Sequence, residues 1–165
     1  MTLRTISYDL LTGLAAQADA SPRKRTNFNF HDGAESLVQR LIIQMKRGSY
    51  IRPHRHYEMD KWEMTLALSG VFEIVIFEDD GAVRERVRLE PNSSVMALEL
   101  LPQTWHSYIA LTDHAAFFEI KEGPYDPARI TQFASWAPAE GETGVPAYQA
   151  WLKKAQPGQR YSVSA

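Results

Sequence analysis

Between residues 36 and 121 the chain is a series of short apolar or alternating segments, and nearly every one is closed by a turn signal. Residues 37–45 end at Lys46-Arg47-Gly48, and 61–68 end at Ser69-Gly70. Residues 71–77 and 82–89 are joined by Glu78-Asp79-Asp80-Gly81, where Asp-Gly supplies the positive φ values of a tight hairpin. Segments 49–56, 95–100, 106–111 and 115–121, with a turn at Pro91-Asn92, complete the series. Residues 37–45 also fit a helical period, but their β-branched centre and terminal glycine favour a strand. Short strands at this spacing predict an all-β antiparallel sandwich or barrel.

The flanks read differently. Ser7 is a suitable N-cap and Asp9 lies in the first turn of a predicted helix over 7–19. Its apolar stripe is Leu10, Leu11, Leu14, Ala15 and Ala18, and Ser21-Pro22 ends it. A basic cluster, Arg23-Lys24-Arg25, leads into residues 27–31, an alternating strand that shows Phe28 and Phe30 on one face. After Gly123, proline, glycine, alanine and tryptophan dominate residues 124–146. A second short helix is expected over 146–155, with Tyr148, Trp151 and Leu152 on one side and Pro146 in its first turn. Residues 156–165 are expected to fray. The division predicted is a helical extension (1–22), a barrel (23–122) and a wrapping tail (123–165) that contains the short helix.

The chain has no cysteine and five histidines among its 165 residues. Disulfides, thiolate zinc sites, iron–sulfur clusters and cysteine nucleophiles are thereby excluded, and any metal must be held by imidazole and carboxylate. Eighteen basic against twenty acidic residues give a net charge of −2, so no basic excess points to nucleic acid or a membrane surface. No apolar run approaches a membrane span, and Asp9 interrupts what a secretory leader would need, so a cytoplasmic location is expected.

His54 and His56 are two apart, and on a strand their side chains share a face. They could converge on one ion; taken alone, the pair fits two surface histidines on an edge strand equally well. The surrounding pattern is Gly48-(five residues)-His54-Arg55-His56-(six residues)-Glu63-(six residues)-Gly70, followed by Leu101-Pro102-Gln103-Thr104-Trp105-His106. This resembles the two cupin motifs, Gly-x5-His-x-His-x3–4-Glu-x6-Gly and Pro-x-Gly-x2-His. It departs from them in the six residues before Glu63, in Leu101 where the motif has proline, and in Gln103 where it has glycine. Across residues 21–152 the segments SPRKR, NFNFH, LVQRLIIQMKRGSYIRPHRH, KWEMTLALSG, LPQTWHSYIAL, FFEIKEGPYDP and WAPAEG resemble the WbuC family of cupin-fold metalloproteins.

The resemblance implies a cupin double-stranded β-helix of the jelly-roll kind. It also implies one divalent metal on His54, His56, Glu63 and His106. Homodimers through the sheets, and an association with polysaccharide (O-antigen) biosynthesis, are implied as well. Glu58 is an alternative carboxylate, sharing the parity of His54 and His56 if the strand runs straight. Glu63 is favoured by the Glu-x6-Gly spacing and by a turn at Asp60-Lys61. Nitrogen and oxygen ligands suit Fe, Mn, Zn, Ni or Co.

Arg52, two before His54, could hold an anionic substrate group or form a surface ion pair. Lys61 and Tyr108 share strand parity with Glu63 and His106. Glu119 lies in an otherwise apolar strand, where facing inward would require a partner and facing outward would meet solvent. His31 either lines the barrel mouth or hydrogen-bonds at the surface. His114 and the tryptophans Trp105, Trp136 and Trp151 read as surface and packing residues, and Arg23-Lys24-Arg25 as a solvated run or a phosphate contact. The functional expectation is a small metalloenzyme acting on a polar or anionic molecule such as a sugar or sugar nucleotide. A non-catalytic binding or sensing cupin is the alternative.

Overall fold

The structure, a computed structural model, describes residues 3–56, 61–126 and 131–162. Two antiparallel five-stranded sheets face each other. The strands in chain order are β1 (Arg25–Asn29), β2 (Val38–Lys46), β3 (His54–His56), β4 (Glu63–Ser69), β5 (Phe72–Phe77), β6 (Val83–Leu89), β7 (Ala97–Leu100), β8 (Trp105–Ala110), β9 (His114–Glu122) and β10 (Thr131–Phe133). One sheet runs β1-β2-β9-β4-β7 and the other β10-β3-β8-β5-β6. Without the outermost β1 and β10, the eight inner strands change sheet at every step except the β5–β6 hairpin. That connectivity is the jelly roll, or double-stranded β-helix, of cupins.

Helix α1 (Tyr8–Ala20) begins where the cap signal places it, and the Ser7 hydroxyl accepts from the Leu10 N–H. Leu14 and Ala18 are buried, and the helix closes the outer face of the first sheet over Phe30, Ile42 and Ala116. Helix α2 (Val145–Leu152) covers the outer face of the second sheet, where Tyr148 and Leu152 meet Val75, Phe77 and Trp105. Between the sheets lie Met45, Phe72, Ile74, Leu89 and Phe117, with the Tyr108 ring stacked on Phe117 at 4.6 Å. Gly70, at φ 67°, is required by its turn: a Cβ there would lie 2.1 Å from the His114 carbonyl. Among the described residues no helix is long and apolar enough to cross a membrane.

The structure departs from expectation in three places. The strand expected over 49–56 is only three residues long. Pro53 has no N–H for the ladder, and side chains take the carbonyls before it: Arg25 that of Tyr50, and Ser107 that of Ile51. Strand β10 was not foreseen; it pairs Thr131 with His56 and Phe133 with His54, so the tail completes the histidine-bearing sheet. The segment after α2 is tied down rather than frayed as far as residue 162, and residues 163–165 lie outside the described residues. Val83 donates to Gln159 and accepts from Gly158, each at 2.8 Å, and Tyr161 packs on Tyr148 and Trp151. Further back along the tail, Glu140 accepts from Arg23 at 2.7 and 2.9 Å and from Arg25.

Phe117 is fully buried between the sheets, so Phe117→Ala should cost about 3–5 kcal/mol in denaturant unfolding. Burial alone would raise the Glu140 carboxyl, but the hydrogen bonds and charges of Arg23 and Arg25 outweigh it and hold the group below its usual value. A carboxyl lowered in the folded state contributes stability above its unfolded pKa and loses it as the pH falls through the folded value. Glu140→Gln should therefore be less stable than the parent at pH 7, and the gap should close on acidification below the usual glutamate range.

Candidate metal centre

Strand geometry builds the centre. On β3, His54 and His56 stand two residues apart on one face, and β8 places His106 directly opposite His54. The ligand nitrogens of the three histidines lie within 4.8 Å of one another. Two of the rings are aimed by the backbone. His54 Nδ1 is 3.0 Å from the Arg52 carbonyl and His106 Nδ1 is 2.9 Å from the Thr104 carbonyl. An Nδ1–H donated to a carbonyl leaves Nε2 as the free lone pair, the form in which histidine binds metals.

Glu63 enters from the opposite sheet, at the start of β4. It is 2% exposed, which is tolerable only because both oxygens are engaged. His56 Nε2 donates to Oε2 at 2.5 Å and the Tyr108 hydroxyl donates to Oε1 at 2.6 Å. Tyr108 in turn meets Thr65 Oγ1 at 2.9 Å. Burial opposes ionisation of Glu63, but the His56 hydrogen bond and the neighbouring His106 and Lys121 charges hold its carboxyl well below the usual range. Burial, followed by the adjacent imidazoles, keeps His54 well below its ordinary value, and burial lowers His106. Tyr108 is pushed up by burial and by Glu63, so it remains a donor.

One atom in the cluster is left over. His106 Nε2 is buried, makes no hydrogen bond among the described residues and lies 3.9 Å from Glu63 Oε1. Buried polar atoms without partners are rare and need a reason. Three convergent imidazoles, one of them with an orphaned nitrogen, beside an ionised carboxylate form a donor set that fits a divalent cation.

A cavity of about 520 Å³ reaches this cluster at His54, Glu63 and Tyr108. Of the other residues singled out in the sequence, His31, Glu119, Arg23 and Arg25 line it, the two arginines being paired with Glu140. His31 is held through Nδ1 by the Arg40 backbone, and Glu119 faces inward beside Lys121 at 2.7 Å. Arg52 is not on the cavity wall: its guanidinium donates to the Ala134 carbonyl at 2.7 and 3.1 Å and lies over the Phe133 ring. Lys61 donates to the Pro124 carbonyl at 3.0 Å, also away from the wall. Glu58 lies outside the described residues. His114 pairs with Asp19 at 3.1 Å, and Trp105 and Trp136 anchor the 78–81 turn through Asp79.

Sequence reasoning did not single out Lys121, Asn27, Asn29 or Tyr125, all on the cavity wall. The signal for Lys121 was its parity with Glu119, two residues earlier on the same strand. Burial alone would lower the Lys121 ammonium, but the Glu119 and Glu63 carboxylates hold it above its ordinary value. Glu119 is raised by its burial and by Glu63, against the pull of Lys121.

The jelly roll and its three-histidine cluster fit the class of cupin-fold metalloproteins. The chain belongs to the family described as a domain of unknown function, DUF6016, whose model matches residues 6–89, just over half of the chain. No curated protein matches. Among solved structures the chain is similar to the capsular polysaccharide assembling protein CapF from Staphylococcus aureus, with 18% identity and a TM-score of 0.57. That match covers 68% of this chain and 32% of CapF, so the chain spans about a third of that protein's length. KdgF from Halomonas sp. also matches, at 18% identity and a TM-score of 0.48, over 63% of this chain and 82% of KdgF. A cupin 2 domain-containing protein from Halorhodospira halophila matches at 16% identity and 0.49, over 80% and 83%.

His54→Ala and His106→Ala should each abolish binding of added divalent metal in elemental analysis while leaving the far-UV circular dichroism unchanged. Full metal content in both variants would show that these imidazoles do not bind it. Tyr108→Phe removes the hydroxyl that donates to Glu63 Oε1 and meets Thr65 Oγ1, and metal affinity should fall about 10–100-fold with the histidines intact.

Proposed function

We propose that this chain is a metal-dependent cupin enzyme that holds one divalent ion through His54, His56, Glu63 and His106 and acts on a small polar molecule. The observation that carries the proposal is the orphaned, buried His106 Nε2 beside two further imidazoles and an ionised carboxylate. Such an ion, when bound, supplies a Lewis acid or an oxygen-activating centre. The choice among Fe, Mn, Zn, Ni and Co stays open, because all accept this nitrogen and oxygen set.

The chain's own residues supply the rest. The Arg52 and Thr104 carbonyls hold two imidazoles in the metal-binding tautomer. Tyr108 holds Oε1 of Glu63 and so leaves Oε2 as the oxygen turned toward the histidines. The cavity gives a ligand access to the cluster and walls it with polar side chains. The likeness of residues 21–152 to WbuC proteins supports a sugar or sugar nucleotide of polysaccharide assembly as the substrate, and a cytoplasmic site of action.

Protein prepared free of metal should turn over at least one member of a panel of sugar nucleotides and small acids once a single divalent metal is restored. No turnover with any metal and substrate pairing would overturn the catalytic reading.

A further inference from the structure

The inner face of the first sheet changes character along its length. Around Phe117, Met45 and Ile74 it is apolar core. Toward the metal centre it carries a buried ion pair, Glu119 with Lys121, whose side chains are 5% and 16% exposed and line the cavity. A well-packed apolar pair of similar volume holds a fold together as well as or better than a buried ion pair does. Folding therefore does not account for these two residues.

Register puts the pair beside the metal centre. Lys121 is directly opposite Glu63 on β4, and Glu119 is opposite Thr65. Neighbouring strands are about 4.8 Å apart, so a molecule in contact with the metal centre is also within reach of Lys121. On the other side Glu119 is opposite Leu41, and Leu41 is opposite Asn29. Asn27 donates to Asn29 at 2.8 Å, and both asparagines face the cavity. The wall thus alternates donors and acceptors, with Leu41, Ile43 and Ile51 as apolar surface between them.

Charge decides what the stretch of wall beside the metal centre accepts; the cavity's two arginines, Arg23 and Arg25, are paired with Glu140. The ammonium of Lys121 is already neutralised by Glu119, and Glu63 is a second carboxylate one strand away. A phosphate or carboxylate placed on Lys121 would sit against both. An uncharged hydroxyl meets no such opposition, because it accepts from Lys121 and donates to Glu119 at once.

We propose that Glu119 and Lys121 are the ligand-recognition pair of this cavity, and that the ligand presents adjacent uncharged hydroxyl groups to them, as a neutral sugar ring or polyol does. The assignment rests on the small-molecule metal centre proposed above and narrows its ligand to one whose inner portion is uncharged.

The test is calorimetric titration of the metal-loaded protein with neutral aldohexoses, 6-deoxyhexoses and pentitols, beside gluconate, glucuronate and inorganic phosphate. At least one neutral compound should bind saturably, and Glu119→Gln and Lys121→Met should each weaken it about tenfold or more. Removing one partner strands a buried charge, so the uncharged double variant Glu119→Gln/Lys121→Met is measured as well, with circular dichroism to confirm folding. Binding by the anions alone, no neutral binding at tens of millimolar, or unchanged affinity in the folded double variant overturns the assignment. Metal content is measured on every sample. A wild-type protein that takes up no metal overturns the metal centre instead, so the two readings fail separately.

Discussion

A carboxylate shut between two β-sheets is the most demanding group in this molecule, and the way Glu63 is satisfied organises what surrounds it. One oxygen accepts a hydrogen bond from Tyr108 on β8, and the other meets His56 on β3. Glu63 itself belongs to the facing sheet. These two hydrogen bonds therefore tie the sheets together at the end where apolar packing stops. They also fix the tyrosine, whose ring stacks on Phe117 and continues into the core. Core and site are joined through one side chain, so a change at Tyr108 reaches both.

The tail is part of the same construction. Strand β10 pairs with β3, the shortest strand of the inner eight and the one that carries two of the three histidines. Three residues cannot hold a register unaided; β8 borders β3 on one side and β10 on the other. Ala134, just beyond β10, accepts the Arg52 guanidinium and donates its own N–H to Pro53. Arg52 thus serves to seat the tail against the residues that precede His54.

Much of this was legible in the sequence, for identifiable reasons. Strand periodicity and turn chemistry are local, so Gly70, Gly81 and the Ser7 cap fell where expected. His54 and His56 could be paired by parity alone, whereas His106 needed motif spacing, because the β3–β8 register is a long-range property. Arg52 shares the parity of His54, yet parity holds only along an unbroken strand, and Pro53 breaks this one. Lys121 escaped notice because a lysine near a strand end ordinarily faces solvent, and only its alternation with Glu119 argued otherwise. Strand β10 offered three residues in a proline-rich stretch, too few for any period to register.

The inner face of one sheet serves two purposes in succession. Where β2, β9 and β4 carry Met45, Phe117 and Ala67, the face is closed by the opposing sheet and stays dry. Farther along the same strands the side chains become Gln39, Glu119, Lys121, Thr65 and Glu63. An apolar filling would have been the simpler way to close the barrel there. Glu119 and Lys121, paired with each other and facing the cavity, leave room for a ligand to exchange hydrogen bonds with them. The strands that supply the core thereby hold the ligand wall rigid as well.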